Sequence, residues 1–170
     1  CLWPVERKKK RKMMEQETYN KHLARMQALC SRSEKCRADI RLKLEQAGVS
    51  PAETEAILNA LEKERFLDQE RYATAYARDK SNLQGWGPRK IYNMLRIKEI
   101  PEEVIEKALS GLGEEQIRQR LTEALKKHRS FREKDPRKRY AALVRFGLGR
   151  GYSYAQIVDC LGKINESKHE

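Results

Sequence analysis

Three stretches of the chain carry one apolar signature at one spacing, and no other feature restricts the possible folds as strongly. Ile40, Ile91 and Leu143 serve as anchors, 51 and 52 residues apart. Nine residues beyond them stand Val49, Ile100 and Tyr152; fourteen beyond, Thr54, Ile105 and Ile157; eighteen beyond, Leu58, Leu109 and Leu161. A repeating unit of about fifty residues buries too little surface to be comfortable alone and gains by stacking on its neighbours. The expected arrangement is an elongated array of modules, which suits binding along another extended object better than enclosing a small substrate.

The periodicity is helical throughout. Apolar residues recur at i, i+3 and i+4, and sustained period-two alternation is absent, so the expected fold class is all-α. Helix starts are well marked. Ser50-Pro51-Ala52-Glu53 offers an N-cap, a proline at the first helical position and a glutamate placed to close a capping box. Ser153-Tyr154-Ala155-Gln156 repeats the arrangement; Pro101, Gly87-Pro88 and Asp135-Pro136 open three further helices. Gly48 and Gly151, each eight residues past an anchor, suit left-handed C-terminal caps. Each unit thus resolves into leading, anchor and closing helices. Leading helices are expected near 17–31, 69–81 and 114–129, anchor helices near 34–47, 88–98 and 136–149, and closing helices near 51–66, 101–110 and 153–163. The modules are expected at 17–68, 69–112 and 113–166, between a flexible basic tail at 1–16 and a flexible end at 167–170.

Charge bears on the partner. Lysine and arginine number 37 against 25 acidic residues, a net +12 that points to a polyanion or an acidic protein surface. Closing helices are acidic at their surfaces, whereas the anchor helices carry Arg37, Arg41 and Lys43; Arg89, Lys90, Arg96 and Lys98; and Arg137, Lys138 and Arg145, with Arg150 just beyond. Solvated helix faces often bear such residues without a partner, and that explains any one cluster. Segregation recurring in all three modules favours a binding face on which those eleven residues are the candidates. Arg7 to Lys12 is a run of six basic residues. It is expected to be a disordered tail, with loose contact to nucleic acid as the sharper option, and no defined site is placed there.

Catalytic chemistry is missing. The chain has no glycine-rich phosphate loop, no HExxH and no serine between elbow glycines, and its three histidines lack a partner at recognisable spacing. An enzyme is not expected, nor is a cofactor. The four cysteines form no CxxC pair, so zinc is not expected; Cys36 and Cys160 read as small buried hydrophobes of a reducing cytosol. No apolar run approaches membrane-spanning length, which gives a cytoplasmic expectation.

Residues 31–48, 66–73, 85–95 and 145–157 carry four motifs, in order and in register from about residue 19 to 164, and these resemble the motifs of bacterial RecX regulatory proteins. Ser31-Arg32-Ser33-Glu34 with Ile40-Arg41-Leu42-Lys43-Leu44 and Gly48 resembles the first-module signature, and Phe66-Leu67-Asp68-Gln69-Glu70-Arg71-Tyr72-Ala73 the link into the second. Gly85-Trp86-Gly87-Pro88-Arg89-Lys90-Ile91 with Leu95 is similar to the second-module motif, and Arg145-Phe146 followed by Arg150 to Ile157 to the closing one. Three departures stand out: residues 1–18 match nothing in the pattern, Glu99 replaces a glycine before the second closing helix, and Gly147 with Gly149 should loosen the third anchor helix. The resemblance implies a curved, cytoplasmic array of three tandem three-helix modules. It also implies binding to the recombinase RecA, in the groove of its filament on single-stranded DNA, with suppression of filament growth, ATP hydrolysis, co-protease activity and strand exchange. It places the chain in DNA repair, recombination and the SOS response, as a monomer with at most weak direct contact to single- or double-stranded DNA. A direct nucleic-acid binder, helix-turn-helix-like or a single-strand coat, is the rival reading. Asp68 and Arg71 are expected to cap and brace a helix, Trp86 to pack in a seam or stand as an aromatic contact, and Tyr72, Tyr76, Tyr92 and Tyr152 to belong to the core.

Overall fold

The computed structural model describes residues 3–169 and is all-α. Cys1 lies outside the described residues. In chain order the helices are α1 (Pro4–Arg32), α2 (Arg37–Gln46), α3 (Pro51–Lys63), α4 (Gln69–Gln84), α5 (Pro88–Ile97), α6 (Glu102–Ser110), α7 (Glu114–Lys127), α8 (Pro136–Gly149) and α9 (Tyr154–Ser167), with a short 3-10 turn at Arg129–Arg132. They form two compact units whose boundary, between Tyr72 and Ala73, falls inside α4. The second unit holds the second and third sequence repeats together, for a reason visible at their backbone junction below.

The repeated apolar positions are the core, except that Leu109 is only half-buried. Ile40, Ile91 and Leu143 are 0%, 0% and 2% exposed, and Val49, Ile100, Tyr152, Thr54, Ile105, Ile157, Leu58 and Leu161 are buried with them. Each large aliphatic side chain so buried contributes about 1.5–3 kcal/mol. In the first unit α1 and α2 both pack on α3, and Met26, Ile40, Leu44, Ile57, Leu58, Leu61 and Leu67 form one cluster. In the second, α5 packs on α6, while α7, α8 and α9 pack on one another around Leu121, Leu125, Leu143, Tyr152, Ile157 and Ile164. Cys36 and Cys160 are each 2% exposed, among free cysteines that include the half-buried Cys30.

The caps follow the sequence signals closely. Ser153 and Gln156 close a reciprocal box, at 3.1 and 2.9 Å; Asp135 accepts from the Arg137 and Lys138 N–H groups; Ser50 accepts from the Glu53 N–H at 3.3 Å. Gly48 and Gly151 hold φ of 79° and 96°, as left-handed caps require, and Glu99 adopts the same conformation at 61°. The missing glycine therefore leaves the cap geometry intact at a cost of about 1–2 kcal/mol.

Three expectations change. α1 begins at Pro4 rather than near residue 17, because nothing between Val5 and Arg32 breaks a helix and most of that stretch is Lys, Arg, Glu, Gln and Met. α8 runs unbroken through Gly147 to Gly149; Gly147 is buried, and a Cβ there would lie 2.7 Å from Ile157 Cδ1, so this glycine admits α9 rather than loosening α8. Tyr76 and Tyr92 are only half-buried, and the Tyr92 hydroxyl donates to Glu102 at 2.8 Å, which raises its pKa.

A candidate partner-binding surface

The second unit is organised by an unusual junction. The N–H groups at the start of α5 have no partner within their own helix, and neither do the carbonyls at the end of α8. Here they satisfy each other: Gly87 N–H donates to Arg150 O at 2.7 Å and Arg89 N–H to Gly151 O at 3.0 Å. Two further bonds flank the pair, from Tyr152 Oη to Gly85 O and from Arg150 Nη1 to Gln84 O, both 2.9 Å. Such proximity demands glycine on both sides. A Cβ on Gly87 would lie 2.5 Å from Gly151 backbone atoms, and one on Gly151 would lie 2.4 Å from Lys90 Cβ. This is why the second and third repeats form one compact unit.

The junction also sets the electrostatics. Cations in the first turn of a helix ordinarily cost about 0.3–1 kcal/mol each against the helix dipole. α5 has Arg89 and Lys90 there and no acidic residue, and the α8 carbonyls supply the compensating negative ends. Arg89 is exposed. Lys90 lies 4.4 Å over the Trp86 ring, Lys80 approaches that ring at 4.8 Å, and Tyr76 meets it edge-on at 6.5 Å. Trp86 is half-buried, a seam residue whose ring is approached by two ammonium groups, each such contact being worth about 0.5–1 kcal/mol. Beside it runs a groove of about 410 Å³, lined by Arg89, Lys90, Asn93 and Met94 on α5 and by Leu148, Gly149, Gly151 and Tyr152. Ile97, one turn past Asn93, is 71% exposed and Leu148 44%. The surface thus sets cationic and exposed apolar side chains side by side.

The remaining candidates divide by what they touch. In the first unit Arg37 is a brace, 2.7 Å from Glu55 and 2.9 Å from Glu62 with only 19% of its side chain exposed, and Arg41 lies 3.8 Å from Glu55. Both are neutralised by the acidic closing helix, while Lys43 is exposed with no ion pair among the described residues. Arg96 lies 5.9 Å over Tyr92, and Lys98 is half-buried at the end of α5. On α8, Arg137, Lys138 and Arg145 are exposed, whereas Arg150 closes the α4 carbonyl end and covers Phe146 at 5.3 Å. Asp68 and Arg71 cap and brace as expected. Asp68 accepts from the Arg71 N–H at 2.9 Å; the Arg71 guanidinium pairs with Glu34 and donates to the Arg65 and Phe66 carbonyls.

Sequence reasoning missed Lys80, Arg120 and Lys127. Arg120 and Lys127 line a second cleft of about 340 Å³ with Asn82, Glu123, His128 and Phe146, and the His128 ring stacks on Phe146 at 4.1 Å. They lie on leading helices, and no local signal places those helices beside an anchor helix. Burial pushes the Tyr152 hydroxyl up to about 12 and raises the thiols of Cys30 and Cys160. Among the described residues no group of three or more His, Cys, Asp or Glu side chains could hold a metal ion.

Residues 68–109, which span α4, α5 and all but the last residue of α6, match the family model for the second three-helix domain of RecX. The chain is 34% identical over 129 residues to a regulatory protein RecX from Vibrio parahaemolyticus, covering 76% of this chain and 82% of that one. It is 36% identical over 124 residues to a regulatory protein RecX from Thermus thermophilus, covering 73% and 78%. A solved regulatory protein RecX superposes with a TM-score of 0.74 at 27% identity, over 81% of this chain and 68% of that one. The fold is shared with RecX from Lactobacillus salivarius at a TM-score of 0.77 and 19% identity, over 88% and 97%.

Proposed function

Because the chain belongs to the RecX family of regulatory proteins, we propose that it is a negative regulator of the recombinase RecA. It binds in the groove of the RecA filament on single-stranded DNA and limits filament growth, ATP hydrolysis, co-protease activity and strand exchange. The observation that carries this reading is the surface built on α5, where Arg89 and Lys90 stand beside exposed apolar side chains and no acidic residue occupies the first turn. Lys43, Arg137, Lys138 and Arg145 are further solvent-facing cations able to meet acidic protein surface or exposed phosphate. Many such contacts along a groove give fast, salt-sensitive association. The protein works as a cytoplasmic monomer without a cofactor, and none of the described helices is long and apolar enough to cross a membrane.

The test is a titration of the protein into RecA with single-stranded DNA and ATP, following hydrolysis and filament length. Inhibition well below stoichiometric amounts supports blocked filament ends. Hydrolysis unchanged at saturating amounts refutes the reading.

A further inference from the structure

The N-terminal half of α1 stands apart from the core that holds its C-terminal half. Tyr19, Leu23, Met26 and Cys30 fall on one helical stripe and pack into the first unit. Continued toward the N-terminus at the same steps, that stripe meets Glu15, Lys12, Lys8 and then Val5, and every residue from Pro4 to Thr18 is exposed. At 1.5 Å per residue this is an extension of about 22 Å. Within it Arg7, Lys8, Lys9, Lys10, Arg11 and Lys12 are consecutive. At about 3.6 residues per turn six consecutive positions pass more than once round the helix, so positive charge faces every direction. Arg11 is paired with Glu15 at 3.3 Å, while Lys8, Lys9, Lys10 and Lys12 have no ion pair among the described residues. The carboxylates that face this half are Glu6, Glu15 and Glu17 on α1 and Glu53 at the start of α3.

We infer that this basic helical extension is a sequence-independent contact for the phosphate backbone of nucleic acid, additional to the recombinase-binding surface on α5 and independent of that reading. Three points favour nucleic acid over other polyanions. An acidic protein face would engage one side of the helix, whereas here the charge surrounds it, as a chain of phosphates passing round it requires. A helix lying on a membrane needs an apolar stripe. None is present: Trp3 and Met14 share one strip, but Arg7 and Lys10 lie on it between them, and Val5 and Met13 point elsewhere. Finally, the pairs Arg7 with Arg11 and Lys8 with Lys12 set like charges at i, i+4, a repulsion that bound phosphate relieves.

The experiment compares the full chain with a variant carrying Arg7→Gln, Lys8→Gln, Lys9→Gln, Lys10→Gln, Arg11→Gln and Lys12→Gln. Glutamine is as good a helix former as lysine, so far-UV circular dichroism should match. Affinity for a fluorescent thymidine 30-mer is measured between about 50 and 200 mM salt, the range over which phosphate contacts are resolved. If four of the six side chains reach phosphates, the log–log slope falls by about 3, and the parent chain loses about 50-fold more affinity than the variant over that range. A variant with only Lys8→Gln, Lys9→Gln and Lys10→Gln should be intermediate. Slopes within about one of each other overturn the proposal, as does uptake by phosphatidylserine vesicles that depends on these residues while oligonucleotide binding does not. Inhibition of RecA turnover should persist in either variant, which separates this result from a failure of the reading above.

Discussion

Replacing Gly87 by alanine isolates the energy of the α5–α8 junction. The φ of Gly87 is −82°, open to any residue, so alanine meets no conformational penalty and the whole effect is steric. Its Cβ would lie 2.5 Å from Gly151 C and O and 2.6 Å from Tyr152 N, all main-chain atoms that no side-chain rotation can withdraw. Reaching an ordinary separation of about 3.5 Å means opening the contact by about 1 Å. The bonds from Gly87 to Arg150 (2.7 Å) and from Arg89 to Gly151 (3.0 Å) cross that same gap and would stretch beyond hydrogen-bonding distance. At about 1 kcal/mol net for each bond, plus the cost of stranding buried partners, the loss is about 2–4 kcal/mol. In a chain of this size that lowers the midpoint of thermal unfolding by about 5–15 °C. Emission from Trp86 in a Trp3→Phe background reports on the second unit alone, since these are the two tryptophans. Gly149→Ala is the control: its Cβ would meet nothing within 4 Å, and alanine at the end of α8 should stabilise by up to about 1 kcal/mol. A midpoint for Gly87→Ala within about 1 °C of the parent refutes the reasoning.

Other consequences can be tested directly. Glu99→Gly relieves a left-handed residue (φ 61°) and should stabilise by about 1 kcal/mol in urea unfolding. Arg37→Ala removes an ion pair whose carboxylates stay hydrated and should cost up to about 1 kcal/mol of stability while leaving filament affinity unchanged; lost affinity would make it a contact residue instead. Arg89→Glu with Lys90→Glu should weaken filament binding without altering helical content, and unaltered binding would move the site elsewhere. The Tyr152 hydroxyl, raised to about 12 by burial, stays neutral in the folded protein when the unfolded chain has begun to ionise near 10. Its contribution to stability is complete below pH 10 and is lost as pH rises toward 12. A titration of absorbance at 295 nm should show a late component that Tyr152→Phe removes.

Much of the architecture is legible along the chain because its signals are local. A repeated apolar spacing needs only helical geometry to become a buried stripe, which is why Ile40, Ile91 and Leu143 and their partners at nine and fourteen residues are all buried. Caps are equally local: Ser153 with Gln156, and Asp135 with the N–H groups just after it, act across three residues or fewer. Glu99 marks the limit, since the replaced glycine is plain to see but its retained left-handed geometry is dictated by the cap around it.

The candidate surface is different in kind. Arg37, Arg41 and Arg89 look alike in a charge count, yet the first two are neutralised by Glu55 on another helix while Arg89 faces solvent. Gly87 and Gly151 read as a helix start and a helix cap; their contact joins segments more than sixty residues apart and depends on two helix ends meeting head to tail. Periodicity, capping and net charge are thus properties of neighbours in the chain, whereas which cation is spent on an internal carboxylate, and which glycine is a point of close approach, depends on distances of a few ångströms between helices that no local pattern encodes.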